Sequence, residues 1–343
     1  MKKLALAIAL ATTPFISGLA QANDGKPELY GRINLALQYV DEADLIANLD
    51  NALDGKTELR SSASRIGVKG SQVINDAVTA IYQVELRINP DSKDGGDKDH
   101  MKHRNSFIGF KGEFGTVKFG THDTPLKLIQ DKIDLFSPLD GDIKEALFAN
   151  SENRGENMLM YTSPSLSGFT LDVAHISNEE TATAAKDDDG ISAAVSYKAD
   201  KMYFGIAYDD NVKGQEISTL RASARVNVAA VQLGAIYEQS QNKATNFATG
   251  DDKEDGWLVS AAYTMAPKVT LKAQYGQSDM VYKDGESVSV GADYQYAKNT
   301  RLMVFSTMNS GVVKAAKAGE TQNLKQGTDQ SAYYNGVAVE YRF

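Results

Sequence analysis

Residues 78–89 read VTAIYQVELRIN. Val78, Ala80, Tyr82, Val84, Leu86 and Ile88 alternate with Thr79, Gln83, Glu85, Arg87 and Asn89; only Ile81 is out of step. Successive side chains of a strand point to opposite faces, so this segment is a strand with one dry and one wet face. The same period runs outward in both directions. Upstream, residues 28–40 (ELYGRINLALQYV) set Leu29, Gly31, Ile33, Leu35, Leu37 and Tyr39 against Tyr30, Arg32, Asn34, Ala36 and Gln38. Residues 58–70 set Ile66 and Val68 against Arg65, Gly67 and Lys69.

Downstream, 103–112 and 116–121 form a hairpin around Glu113-Phe114-Gly115, with the weakest alternation of the chain in 103–112. Strands then follow at 154–162, 169–177, 190–199, 202–209, 218–228, 231–239, 256–265, 269–278, 286–296, 300–309 and 332–343, sixteen in all. Each is roughly 8–13 residues long, and a tilted strand needs ~9–11 to cross a bilayer. Connections such as 200–201, 229–230, 266–268 and 297–299 are short, whereas 178–189, 240–255 and 310–331 are longer and polar. An even strand count with short turns at one end and long loops at the other points to an all-β transmembrane barrel of sixteen antiparallel strands. Prolines 27, 90, 125, 138, 164 and 267 all fall at strand ends, turns or loops, as a group that cannot donate to a ladder must. Tyr39, Tyr161, Tyr197, Tyr263, Tyr275, Tyr294 and Tyr341 sit near strand ends on the apolar parity, where barrels carry aromatic girdles; tyrosine is also simply common in strands.

One stretch does not alternate. Thr121–Asn153, THDTPLKLIQDKIDLFSPLDGDIKEALFANSEN, carries two prolines and acids at Asp123, Asp131, Asp134, Asp140, Asp142 and Glu145. A loop of about thirty residues is functional or disordered far more often than a passive connection. It is expected to fold into the bore and narrow it.

The chain opens on Met1-Lys2-Lys3, an apolar run to about Ile16 and Ala20-Gln21-Ala22, the pattern of a secretory signal peptide cleaved after Ala22. Residues 1–22 are read as that signal and 23–343 as a single barrel domain, with 121–153 as its pore-narrowing loop. Losing Lys2 and Lys3 leaves 34 basic and 45 acidic residues, a net charge of −11. An acidic exported chain is a poor nucleic-acid binder, and in a pore this balance predicts mild cation preference unless wall arginines offset it locally. There is no cysteine, so disulfides and thiolate metal sites are excluded. No zincin, nucleophile-elbow, Walker A or dinucleotide motif is present, and His100, His103, His122 and His175 form no ligand set. The chain is read as a non-enzyme without cofactor or metal.

The chain resembles the general porins of the Gram-negative outer membrane. The resemblance runs through LYGR (29–32), SRIGVKG (64–70), FIGFKGEFGTVKFG (107–120), DTPLKL (123–128) and VAVEYRF (337–343), and covers essentially the whole chain after the signal. It implies an outer-membrane location, a homotrimer, and passive diffusion of small hydrophilic solutes and ions. It also implies a third external loop in the pore whose acids face a wall of basic residues. Carried over by position, the basic residues are Arg32, Arg65, Arg104 and Arg154; strand parity independently places Arg32 and Arg65 on the polar face. The preferred acids are Asp131, Asp134 and Asp140, with Asp142 and Glu145 in reserve; Leu139 stands where the family often has an acid after the proline. Phe343 and Tyr341 resemble the terminal signal read by the barrel-assembly machinery. Membrane lipid and lipopolysaccharide are implied partners; Asp187-Asp188-Asp189 and Asp251-Asp252 could bridge cations to the latter, but read more simply as a solvated acidic surface. The alternative function is a substrate-selective channel for a sugar, phosphate or other nutrient, for which Phe136, Phe148 and Phe169 are candidates for an aromatic slide or for loop anchors.

Overall fold

The computed structural model describes residues 26–41, 55–91, 102–148, 151–177, 189–213, 216–243, 252–280, 283–312 and 331–343. The signal peptide, His100, Asp187, Asp188 and Asp251 lie outside the described residues.

The strands are β1 (Glu28–Asp41), β2 (Lys56–Ser61 and Arg65–Asn75), β3 (Val78–Arg87) and β4 (Lys102–His103 and Ser106–Gly112). Next come β5 (Gly115–Asp123), β6 (Arg154–Thr162), β7 (Phe169–Ile176) and β8 (Gly190–Lys198). Then follow β9 (Met202–Asp210), β10 (Ile217–Val228), β11 (Val231–Asn242) and β12 (Lys253–Ala266). The last four are β13 (Val269–Ser278), β14 (Lys283–Ala297), β15 (Thr300–Val312) and β16 (Ser331–Arg342). Each pairs antiparallel with its sequence neighbours, and β16 pairs with β1, so the sixteen-stranded sheet closes on itself and has no edge.

Two strands are interrupted for local reasons. In β2 the break at 62–64 accompanies the positive φ of Ala63 (52°). In β4 the break falls at Arg104-Asn105, inside the segment with the weakest alternation, yet the Arg104 N–H still donates to the Glu85 carbonyl at 2.9 Å. Several strands outrun the apolar pattern. β11 continues to Asn242 and β12 starts at Lys253, because ladder pairs such as Gln241 with Lys253 need only backbone, not an apolar face. β5 likewise continues to Asp123, so the long loop begins at Thr124 rather than Thr121.

The faces are inverted relative to a soluble β-protein. In β9 the apolar Phe204, Ile206 and Tyr208 point outward and are about half exposed, while Tyr203, Ala207 and Asp209 are buried inside. The pattern repeats around the sheet with Leu29, Leu37, Val84, Ile191, Val290 and Val337 outside and Asn34, Gln38, Ser192, Arg221, Glu238 and Ser289 inside. On a closed barrel an outward apolar belt is the surface that lipid covers. Among the described residues no helix is long and apolar enough to cross a membrane; strands supply the crossing.

Candidate functional site

The loop between β5 and β6 lies inside the barrel and is held there by its own apolar residues. Thr124 caps the one-turn helix α1 (Pro125–Leu128), its hydroxyl accepting from the Lys127 N–H. Asp142 caps a second, α2 (Ile143–Ala146), in the same way through the Lys144 N–H. Between and after them Leu126, Ile129, Ile133, Phe136, Leu139, Ile143, Leu147 and Phe148 are all 2% exposed or less. Full burial of a side chain of this size contributes ~1.5–3 kcal/mol.

These residues meet the inner wall sector by sector. Leu126 and Ile129 pack on Ala194 of β8 and Ala207 of β9. Ile133, Leu147 and Phe148 pack with Ile236 of β11 and Leu258 of β12. Phe136 and Leu139 reach Phe305 of β15, Tyr334 of β16 and Val40 of β1. The wall makes room with glycines: a Cβ on Gly256 would lie 2.8 Å from the Phe148 ring, and one on Gly276 would lie 2.5 Å from Leu147 Cδ1.

A row of wall side chains satisfies the loop's carbonyls. Ser223 Oγ donates to Ile129 O (2.6 Å), Ser260 Oγ to Ile133 O (2.7 Å) and Lys272 Nζ to Leu135 O (2.9 Å). Gln274 Nε2 donates to Gly141 O (2.9 Å) and Ser278 Oγ to Leu147 O (2.6 Å). The returning limb is tied by Arg221, fully buried, whose guanidinium reaches Glu238 and Glu152 at 2.7 Å each and Ser151 Oγ at 2.8 Å. Phe136 and Phe148 are thus loop anchors, and Phe169 points outward, half exposed; none of the three lines an aromatic slide.

Because the loop covers the wall from β8 round to β1, the passage is left on the β1–β6 side. Arg32, Arg65, Arg104 and Arg154 all line it, together with Arg60 and Arg87. Arg65 and Arg104 share the buried Glu85, at 3.2 and 2.7 Å, and Tyr30 Oη also donates to that carboxylate. Arg154 reaches Asp123 at 2.9 Å. On the loop side the lining includes Lys127, Gln130, Ser137, Pro138, Asp142, Lys144 and Glu145.

The three preferred acids lie elsewhere. Asp131 pairs with Arg225 of β10 at 2.6 Å and, with Asp134, faces the chamber on the short-turn side of the loop. Asp134 accepts from the Phe136 and Ile143 N–H groups and from Gln130 Nε2, which makes it a brace between the loop's two limbs. Asp140 is buried against Arg60. The reserves, Asp142 and Glu145, face the passage. Loss of water around it and the neighbouring Asp142 carboxylate push Asp134 up to about 8, and burial likewise raises Asp142.

Arg87 stood on the polar parity of the best-defined strand, so its signal was in the sequence. Arg60 precedes an interruption, where parity is lost. Glu85 and Arg221 were visible only as polar wall positions, because their partners come from other strands or from the loop. Tyr341 and Phe343 lie together outside the barrel, ring centroids 6.2 Å apart, and Phe343 exchanges backbone hydrogen bonds with Gly31 across the closing seam. Among the described residues no group of three His, Cys, Asp or Glu is arranged to hold a metal ion.

The sequence profile of a family described as Gram-negative porin matches residues 5–312. The major outer membrane protein P.IB of Neisseria sicca is 23% identical over 95% of this chain and 98% of its own length. Among solved structures, an anion-selective porin from Comamonas acidovorans superposes with a TM-score of 0.75 at 18% identity, covering 93% of this chain and all of its own. Salmonella typhi OmpF in complex with daunomycin gives a TM-score of 0.68 at 19% identity, covering 93% of this chain and 98% of its own. At these identities the superpositions speak for the fold.

Proposed function

The chain belongs to the Gram-negative porin family of outer-membrane channels, and from that premise we propose that solutes pass between the docked loop and the arginine wall, with anions favoured. The observation that carries the reading is the charge of the lining. Eight basic side chains (Arg32, Arg60, Arg65, Arg87, Arg104, Lys127, Lys144 and Arg154) face four carboxylates (Asp123, Asp142, Glu145 and Glu152). Of the carboxylates the basic wall meets, Glu85 serves Arg65 and Arg104 and Asp123 serves Arg154 and Lys127, while Asp140 pairs with Arg60 and Glu340 reaches Arg32.

A permeating ion feels the charges within a Debye length, ~8–10 Å at physiological ionic strength, far more than the net charge of the whole chain. With Glu85, Asp140 and Glu340 counted behind the lining, eight basic groups stand against seven carboxylates, a balance that is positive where the chain as a whole is acidic, and the preference it supports is for anions rather than cations. The opposed rims, arginines on the wall and Asp142 and Glu145 on the loop, set up a transverse field that orients dipolar solutes. Small hydrophilic solutes pass; bulky or apolar ones are held back by size and desolvation.

The proposal assigns Arg32, Arg65, Arg104 and Arg154 to the constriction, moves the acidic side from Asp131, Asp134 and Asp140 to Asp142 and Glu145, and gives the protein no catalytic chemistry. It retains residues 23–343 as one barrel domain after a cleaved signal, assembly as a homotrimer, and recognition of Tyr341 and Phe343 by the assembly machinery. The test is reconstitution in a planar bilayer under a salt gradient. Stepwise openings with a reversal potential of anion sign support the reading; a cation sign contradicts it.

A further inference from the structure

The register places four arginines side by side across four strands. Arg342 of β16 is the Cα partner of Arg32 of β1, Arg32 of Arg65 of β2, and Arg65 of Arg87 of β3. Directly opposed residues share a face, with Cβ atoms about 4.5–5.5 Å apart, and like charges there are destabilising. All four nevertheless turn into the lumen: Arg32, Arg65 and Arg87 line the constriction, and Arg32 and Arg342 line the chamber on its short-turn side. Two buried carboxylates offset the row. Glu340 is shared by Arg32 (3.3 Å), Arg301 (3.3 Å) and Arg342 (2.8 Å), and Glu85 by Arg65 and Arg104. Arg301 also meets Asp293 at 3.1 Å, so five guanidinium groups share three carboxylates and the wall stays positive.

The row also climbs the barrel. Strands in a barrel are tilted and staggered, so a line straight across them advances along the axis. Arg342 is the last residue of β16 and bonds through its N–H to Asn299 O in a short turn (2.9 Å). Arg32 stands further inside β1, and Arg87 ends β3 where the long connection 88–101 begins. The row thus runs from the short-turn mouth into the constriction, where Arg87 ends it.

We propose that Arg342, outside the constriction, extends the basic wall to the short-turn mouth and is a specificity-determining residue there. The proposal rests on the anion-favouring channel read above. The Arg342 side chain is 62% exposed, so it acts on passing ions through water and its influence is screened by salt.

The experiment is single-channel recording in potassium chloride gradients of wild type, Arg342→Gln and Arg342→Lys, which reads each folded channel whatever the yield. At about 0.1 M salt, Arg342→Gln is expected to lower the anion-to-cation permeability ratio about twofold, and Arg342→Lys to keep the wild-type ratio. At about 1 M, where the Debye length falls to ~3 Å, the difference is expected to vanish. An unchanged ratio in Arg342→Gln at low salt, with wild type still anion-preferring, overturns the role of Arg342 and leaves the channel reading intact. A change of equal size at both salts assigns Arg342 to packing and also overturns it. A cation-preferring wild type overturns the channel reading itself.

Discussion

Phe136→Ala separates a loop held by side-chain packing from one held by its backbone. Phe136 is fully buried, packs with Leu139, Phe305 and Tyr334, and lies under the Lys272 ammonium, 4.6 Å from its ring centroid. Truncating a buried phenylalanine costs about 3–5 kcal/mol. The bonds from Lys272 to Leu135 O and from Gln274 to Gly141 O flank this one residue and remain, but net hydrogen-bond contributions are only about 0.5–1.5 kcal/mol each. With the further bonds from Leu135 N–H to Gln274 Oε1 (2.9 Å) and from Asn309 Nδ2 to Asp140 O (3.3 Å), the loss is comparable with what the remaining bonds hold, and the segment around residues 134–141 is expected to leave the wall part of the time. The sheet itself closes without Phe136, so strand content is expected to stay as in wild type. The assay is single-channel recording beside circular dichroism. The expected record is noisier, with openings of larger mean conductance at unchanged strand content. Quiet openings of wild-type size would show that packing of this side chain does not position the loop.

Asp134→Asn should place an amide nitrogen against a backbone donor it now satisfies, costing about 1–3 kcal/mol and loosening α2; slower or unchanged amide exchange at Ile143 would argue against the brace. Arg221→Met should leave Glu238 buried without its cation, a loss of about 3–5 kcal/mol, read as a lower unfolding temperature in detergent; an unshifted transition would mean the pair is dispensable. Asp142 is held above the usual carboxylate range, so it loses its charge early as pH falls and the lining becomes more positive. Anion preference should therefore rise as pH falls from neutral toward the ordinary carboxylate range, and a fall over that interval would contradict the placement of Asp142 at the passage.

The barrel was legible because its determinant is local. One residue in two must face lipid, so segments such as 78–89 and 154–162 announce themselves, and β6 begins and ends where its alternation does. The arginine wall was legible for the same reason wherever parity is unbroken, as at Arg32 and Arg65. The loop's acids were not. Thr124–Asn153 has no period, and which acid meets the passage depends on how far the loop travels around the wall. That path is set by contacts such as Phe136 on Phe305 and Phe148 over Gly256, whose wall partners are far from the acids in sequence. Wall glycines do carry a signal, since glycine within a strand marks a close approach, but the approaching residue appears only in three dimensions. Net charge is a different kind of signal: it averages the whole chain, whereas an ion in transit samples the lumen, so the cation preference expected from the sequence and the anion preference proposed from the lining rest on different sets of charges.

On the proposed reading the open passage lies between Glu145 and the arginine wall. The chain has no cysteine of its own, so a Glu145→Cys channel carries a single thiol, at a side chain that is 51% exposed on the lining. Adding a bulky water-soluble thiol reagent to open single channels is predicted to lower the conductance in discrete steps. Complete modification, verified by mass, with no change in current would contradict the account.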